Sequence, residues 1–196
     1  MKAGQVIILT VISLLCVMPE TMAQDTPLTR SMARQKKAAD ISSTVELARS
    51  MNNVNYTDIY DRSLLMYAAS QGYSRACRIL LRRGADPNIQ AIDGATSGMF
   101  AAYNGHDRIV KLMLERGFDP EIKALDGTNA LMMASQNGHL EVARLLLVNG
   151  AKPDLQAADG YTALMLASQN GHEEIVSLLL EYGASPDMQD FRNGTT

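Results

Sequence analysis

Tryptophan is absent, phenylalanine occurs three times, and aromatic residues make up only 5% of the 196-residue chain. Any core must therefore be built from Leu, Ile, Val, Ala and Met. Cysteine is scarce too, with Cys16 and Cys77 alone. Two thiols exclude a disulfide framework and a zinc site with several thiolate ligands. Positive charge is not in excess. The formal net charge is −3 and the pI about 5.6, which argues against a general nucleic-acid binder. What is present suits folded protein: 46% apolar and 20% charged residues speak against disorder. The length fits one domain.

The N-terminal apolar run, Val6 to Met18, is 13 residues long. A membrane-spanning helix needs roughly 20. Met1-Lys2 precedes the run, Pro19-Glu20 ends it, and Thr21-Met22-Ala23 follows. This is the layout of a secretory signal peptide over residues 1–23, with cleavage after Ala23. Retention as an anchor fits less well. So does lipid attachment at Cys16, because Leu15 is bulky where a small residue is wanted. Cleavage leaves Cys77 as the lone thiol and no stable membrane span. The fold must then hold by packing alone.

The rest of the chain repeats every 33 residues. Gly72, Gly105, Gly138 and Gly171 form one column; Gly84, Gly117, Gly150 and Gly183 a second; Pro87, Pro120, Pro153 and Pro186 a third. A fixed period of this size marks stacked supersecondary units. In the fourth unit Thr162 is a helix N-cap, Ala163–Gln169 a first helix, and Asn170-Gly171-His172 a tight turn. Glu173-Glu174 opens a second helix, where negative charge suits the helix dipole. Ile175, Val176, Leu178, Leu179 and Leu180 form its apolar stripe. Gly183 caps it, and Pro186 blocks continuation.

Gly160-Tyr161-Thr162-Ala163-Leu164-Met165-Leu166-Ala167, with Asn170-Gly171-His172 and Leu178-Leu179-Leu180-Glu181-Tyr182-Gly183-Ala184, resembles the ankyrin repeat. The resemblance implies an all-α solenoid of helix-turn-helix units joined by β-hairpin loops. Four such units are expected over residues 58–190. Residues 24–57 are read as a linker and a degenerate capping repeat, with a helical pair over Thr29–Met51, and 191–196 as a tail. Either the fourth unit caps itself or the chain has been cut short. Two departures from the family stand out. Its first-helix histidine is replaced by Met66, Met99, Met132 and Met165, read as core. Gly98 stands where other units have Leu65, Leu131 and Leu164. A helical glycine costs about 1 kcal/mol relative to alanine, so the second unit is expected to be weak, and Gly98→Leu or Gly98→Ala to stabilise it if the helix has room.

No catalytic set stands outside the repeat pattern, and no cofactor or metal is expected. His106, His139 and His172 lie in successive layers about 8–10 Å apart, too far to share a zinc ion bound at about 2.0–2.1 Å. They are read as turn residues. Asp93-Gly94, Asp126-Gly127 and Asp159-Gly160 are hairpin signals. Cys77 aligns with Val110, Ala143 and Val176 and is read as core.

The resemblance places a protein-binding surface on hairpin tips and first helices. Carried over unit by unit, it comprises Ile59, Tyr60, Arg62 and Gln71; Ile92, Ala95, Tyr103 and Asn104; Leu125, Thr128, Gln136 and Asn137; Ala158, Tyr161, Gln169 and Asn170. Gln71, Asn104, Asn137 and Asn170 are expected to form a polar ladder. Charge is uneven: residues 24–92 hold ten basic and six acidic side chains, residues 93–196 seven and fourteen. The expectation is a monomeric, non-enzymatic binding protein of the periplasm, or secondly of the medium, acting on a protein partner, such as a periplasmic enzyme that it inhibits or assists. The alternative is a host-directed secreted effector.

Overall fold

The structure, a computed structural model, describes residues 41–190. Each unit begins where a short polar side chain meets a free helix amide. Ser63 Oγ, Thr96 Oγ1, Asn129 Oδ1 and Thr162 Oγ1 accept from the amides of Met66, Met99, Met132 and Met165 at 2.9–3.3 Å. These caps fix the starts of the first helices.

Among the described residues there are nine helices: 41–50 (α1), Leu64–Ser70 (α2), Ser74–Arg82 (α3), Ser97–Tyr103 (α4), Asp107–Leu114 (α5), Ala130–Gln136 (α6), Leu140–Val148 (α7), Ala163–Gln169 (α8) and Glu173–Glu181 (α9). The fourth-unit helices fall where the sequence places them. The connecting hairpins contain no named strand among these residues, only the isolated bridges Thr57↔Ser63 and Gln90↔Thr96. Residues 1–40 and 191–196, where the signal peptide, the first part of the capping pair and the tail are expected, lie outside the described residues. α1 falls within the stretch read as a capping repeat.

The first helices α2, α4, α6 and α8 pack on one another more closely than α3, α5, α7 and α9 do. Small buried residues allow this approach: Ala68-Ala69, Ala101-Ala102, Ala134-Ser135 and Ala167. The stack therefore curves, with hairpins and first helices inside and second helices outside. Met66, Met99 and Met132 are buried, and Met165 in the last unit half-buried. Cys77, Val110 and Ala143 are fully buried as expected.

Three polar columns lock one unit to the next. Asn55, Asn88, Glu121 and Asp154 accept from the amides of Asp86, Asp119, Lys152 and Ser185, each 31 residues on, at 2.8–2.9 Å. Gln90, Lys123 and Gln156 donate to the carbonyls of Lys123, Gln156 and Gln189. The Nε2 atoms of His106, His139 and His172 lie 3.3, 2.9 and 3.1 Å from the carbonyls of Ser70, Tyr103 and Gln136 in the preceding unit. A carbonyl only accepts, so Nε2 carries the proton. Each ring also covers the turn glycine before it. A Cβ on Gly138, already at φ 76°, would sit 2.7 Å from the His172 ring, whereas Gly171 has nothing within 4 Å.

The structure fills the gap that the missing leucine was expected to leave in the second unit. A Cβ on Gly98 would fall against Cζ of Phe118, whose ring fills the space that leucine takes elsewhere. Phe118 is buried and stands in the column of Ala85, Ala151 and Ala184. The helix has no room at Gly98, so Gly98→Ala is expected to destabilise rather than stabilise.

Candidate protein-binding face

The inner edge of the stack is built by a chain of backbone bonds between hairpin tips. Ile92 N–H donates to the Tyr60 carbonyl at 3.0 Å, Leu125 to Asp93 at 2.9 Å, and Ala158 to Asp126 at 2.8 Å. The tips are thus held in register without a sheet. Within them, Asp93, Asp126 and Asp159 accept from the amide two residues on. Glycines at 94, 127 and 160 supply the positive φ of the turn. Asp61 takes that position in the first hairpin at φ 56°, a conformation that aspartate tolerates better than most residues.

This scaffold presents a row of apolar side chains to solvent. Ile59 is 78% exposed, Ile92 62% and Leu125 79%; Ala158 continues the row. Tyr60 and Tyr103 expose about half their surface, at 45% and 52%. Gln71, Asn104, Gln136, Gln169 and Asn170 are exposed; Arg62, Thr128, Asn137 and Tyr161 are half-buried.

Several of these residues have local structural work. The Arg62 guanidinium lies 4.7 Å from the Tyr60 ring centroid, and its Nε is 3.7 Å from Oδ2 of buried Asp58, an ion pair longer than a hydrogen bond. Thr128 Oγ1 donates to Asp126. In the polar ladder, the Nδ2 groups of Asn104, Asn137 and Asn170 donate to the carbonyls of Phe100, Met133 and Leu166 in their own helices. Those nitrogens close helix ends. Ala95 does not belong to the surface. It is buried, because its carbonyl pairs with the Ala91 amide and turns its methyl into the core.

Burial pushes the Cys77 thiol up to about 12, so the nucleophilic thiolate is suppressed. Among the described residues no group of three His, Cys, Asp or Glu side chains could hold a metal ion, and no helix is long and apolar enough to cross a membrane. A groove of about 420 Å³ lies on the last unit beside Met165, Val176 and Leu180. In the inner units the equivalent positions are packed under the next layer.

The family model for ankyrin repeats in three copies matches residues 98–190, and that for a single ankyrin repeat matches residues 60–92. The chain belongs to the ankyrin repeat family. No curated protein matches it. Ankyrin repeats are protein–protein interaction modules, and the exposed tips offer apolar area on the inner face, while Val148 and Leu180 are exposed on the outer helices. Sequence reasoning missed the histidine staples and the Asn55-to-Asp154 latch, although the 33-residue recurrence of polar residues was their visible sign.

Proposed function

We propose that this ankyrin chain is an exported, non-enzymatic binding protein that grips a protein partner through its inner face and so inhibits or assists a periplasmic enzyme. The row Ile59, Ile92 and Leu125, flanked by Tyr60 and Tyr103, carries the reading. Polar groups nearby are largely engaged within the chain, so the apolar tips and tyrosines are what remains to bury. Interface energy concentrates in such aromatic anchors near the centre of a contact. The rigid, latched backbone limits the ordering cost of binding. Export rests on the signal layout of residues 1–23.

The test is a pull-down from periplasmic extract, followed by affinity measurement with the recovered partner. Tyr103→Ala should weaken binding by about tenfold or more with folding intact, since a central anchor is worth about 2 kcal/mol. Arg144→Ala on the outer face should change little. Loss of the partner on Arg144→Ala, with Tyr103→Ala tolerated, would show that the inner face is not the binding surface. Fractionation should find a mature chain starting near Gln24 outside the cytoplasm.

A further inference from the structure

Part of the charge asymmetry of the sequence runs along one surface. Over residues 74–83, 107–116, 140–149 and 173–182, the second helix of each unit with its C-cap, the formal charge falls in order: +4, +1, 0 and −3. The basic end holds Arg75, Arg78, Arg82 and Arg83 on α3, and Arg108, Lys111 and Arg116 on α5, all exposed. Two of these are committed: Arg83 donates to the carbonyls of Ala48, Arg49 and Met51, and Arg116 to that of Leu81. Arg75, Arg78, Arg82, Arg108 and Lys111 have no hydrogen bond or ion pair among the described residues.

These five cations form a compact field. Arg75 to Arg82 spans two turns, about 10 Å, and Arg75/Arg108 and Arg78/Lys111 are register equivalents on helices packed side by side, about 10 Å apart. Asp107 and Glu115, at the edges of α5, are the only acids on these two helices. Below about 0.1 M salt the Debye length exceeds about 10 Å, so there the charges act together. The field contains no exposed aromatic residue. Arginine anchors of a protein interface sit in desolvated, well-packed pockets, whereas these side chains stand exposed with no aromatic residue beside them. A charged lipid surface needs no such pocket, because it attracts flexible cations additively.

We propose that the outer face of α3 and α5 docks this protein on an anionic phospholipid surface. The same gradient sets its orientation. Glu173, Glu174 and Glu181 on α9 are repelled, so the stack stands with its first two units against the lipid. The hairpin tips, on the opposite face, remain open to a partner.

The experiment is co-sedimentation of the full chain with vesicles of phosphatidylglycerol and phosphatidylcholine, against phosphatidylcholine alone. Comparing the two lipids within one chain cancels any attraction from the apolar N-terminus. A preference for anionic vesicles that fades with added salt is expected. Arg75→Gln/Arg78→Gln/Lys111→Gln should reduce that preference about tenfold or more, with an unchanged unfolding temperature. Arg144→Gln on α7 should change it less than about twofold. Equal binding to both vesicle types, or a triple variant that keeps the preference, overturns the proposal. So does a wild-type chain that ignores both vesicles but is retained by immobilised polyglutamate, which would assign the field to an acidic protein.

Discussion

In the third repeat, Leu131 projects from α6 while Ala151 follows α7. In the second, Gly98 and Phe118 hold the equivalent positions, and the ring of Phe118 reaches into the space above Gly98. The large side chain has changed sides. Leucine plus alanine and glycine plus phenylalanine have nearly the same total volume, and cores tolerate such exchanges when volume is conserved. Both repeats bury the pair: Leu131 at 0% and Ala151 at 5% exposure, Phe118 at 4%. A repeat's stability therefore cannot be read from one column. It depends on pairs of columns that meet in space.

The comparison breaks most visibly at Phe118. Phe118→Ala should cost about 3–5 kcal/mol, the usual range for emptying a buried aromatic site, because no leucine stands opposite to fill the void. Leu131→Ala in the third repeat should cost about 2–5 kcal/mol. The sharper test adds Gly98→Leu to Phe118→Ala. That double change installs the arrangement of the other repeats and should recover at least half of the loss in denaturant unfolding. A double variant no more stable than Phe118→Ala alone would show that the two positions do not share one space.

A smaller loss is expected from Gly98→Ala. Helix propensity favours the change by about 1 kcal/mol. Overpacking a filled core opposes it by about 1–3 kcal/mol. The added Cβ would overlap the Phe118 ring rather than touch it, so the upper part of that range applies and a net loss of up to about 2 kcal/mol is expected. With Phe118→Ala in place, the same substitution should become stabilising. That reversal, read as a double-mutant cycle, measures the coupling directly.

The helical solenoid was legible in the sequence because its determinants are local and periodic. A cap, a turn glycine and a helix-ending Gly-x-x-Pro recur at fixed offsets, so four units and their helix starts follow from the chain alone. What escaped was contact between columns. Gly98 is followed twenty residues later by Phe118, and nothing in a linear alignment says that one fills the gap of the other. The histidines escaped for a similar reason. Each stands in its own turn along the sequence, yet its hydrogen-bond partner lies 36 residues back. On the inner face, exposure of Ile59, Ile92 and Leu125 was foreseeable from their place at the hairpin tips. The burial of Ala95 was not, since it turns on which side of a three-residue turn the methyl points.

The smallest effect concerns the N-caps of the same two repeats. Thr96 opens α4 and Asn129 opens α6, and both accept from the N3 amide. Asparagine brings in addition an amide nitrogen. At Asn129 that Nδ2 is buried without a hydrogen-bond partner. Leaving a buried donor unsatisfied costs about 1–3 kcal/mol, whereas asparagine and threonine differ by only a few tenths as caps. Asn129→Thr removes the stranded donor, keeps an oxygen for the Met132 amide and copies the residue found at Thr96 and Thr162. It should raise stability by about 1 kcal/mol. Asn129→Ala removes the donor and the cap together, so the two contributions offset and little net change is expected. If Asn129→Thr proves destabilising while Thr96→Asn is neutral, the amide nitrogen is satisfied in solution and the asymmetry between the two caps has another origin.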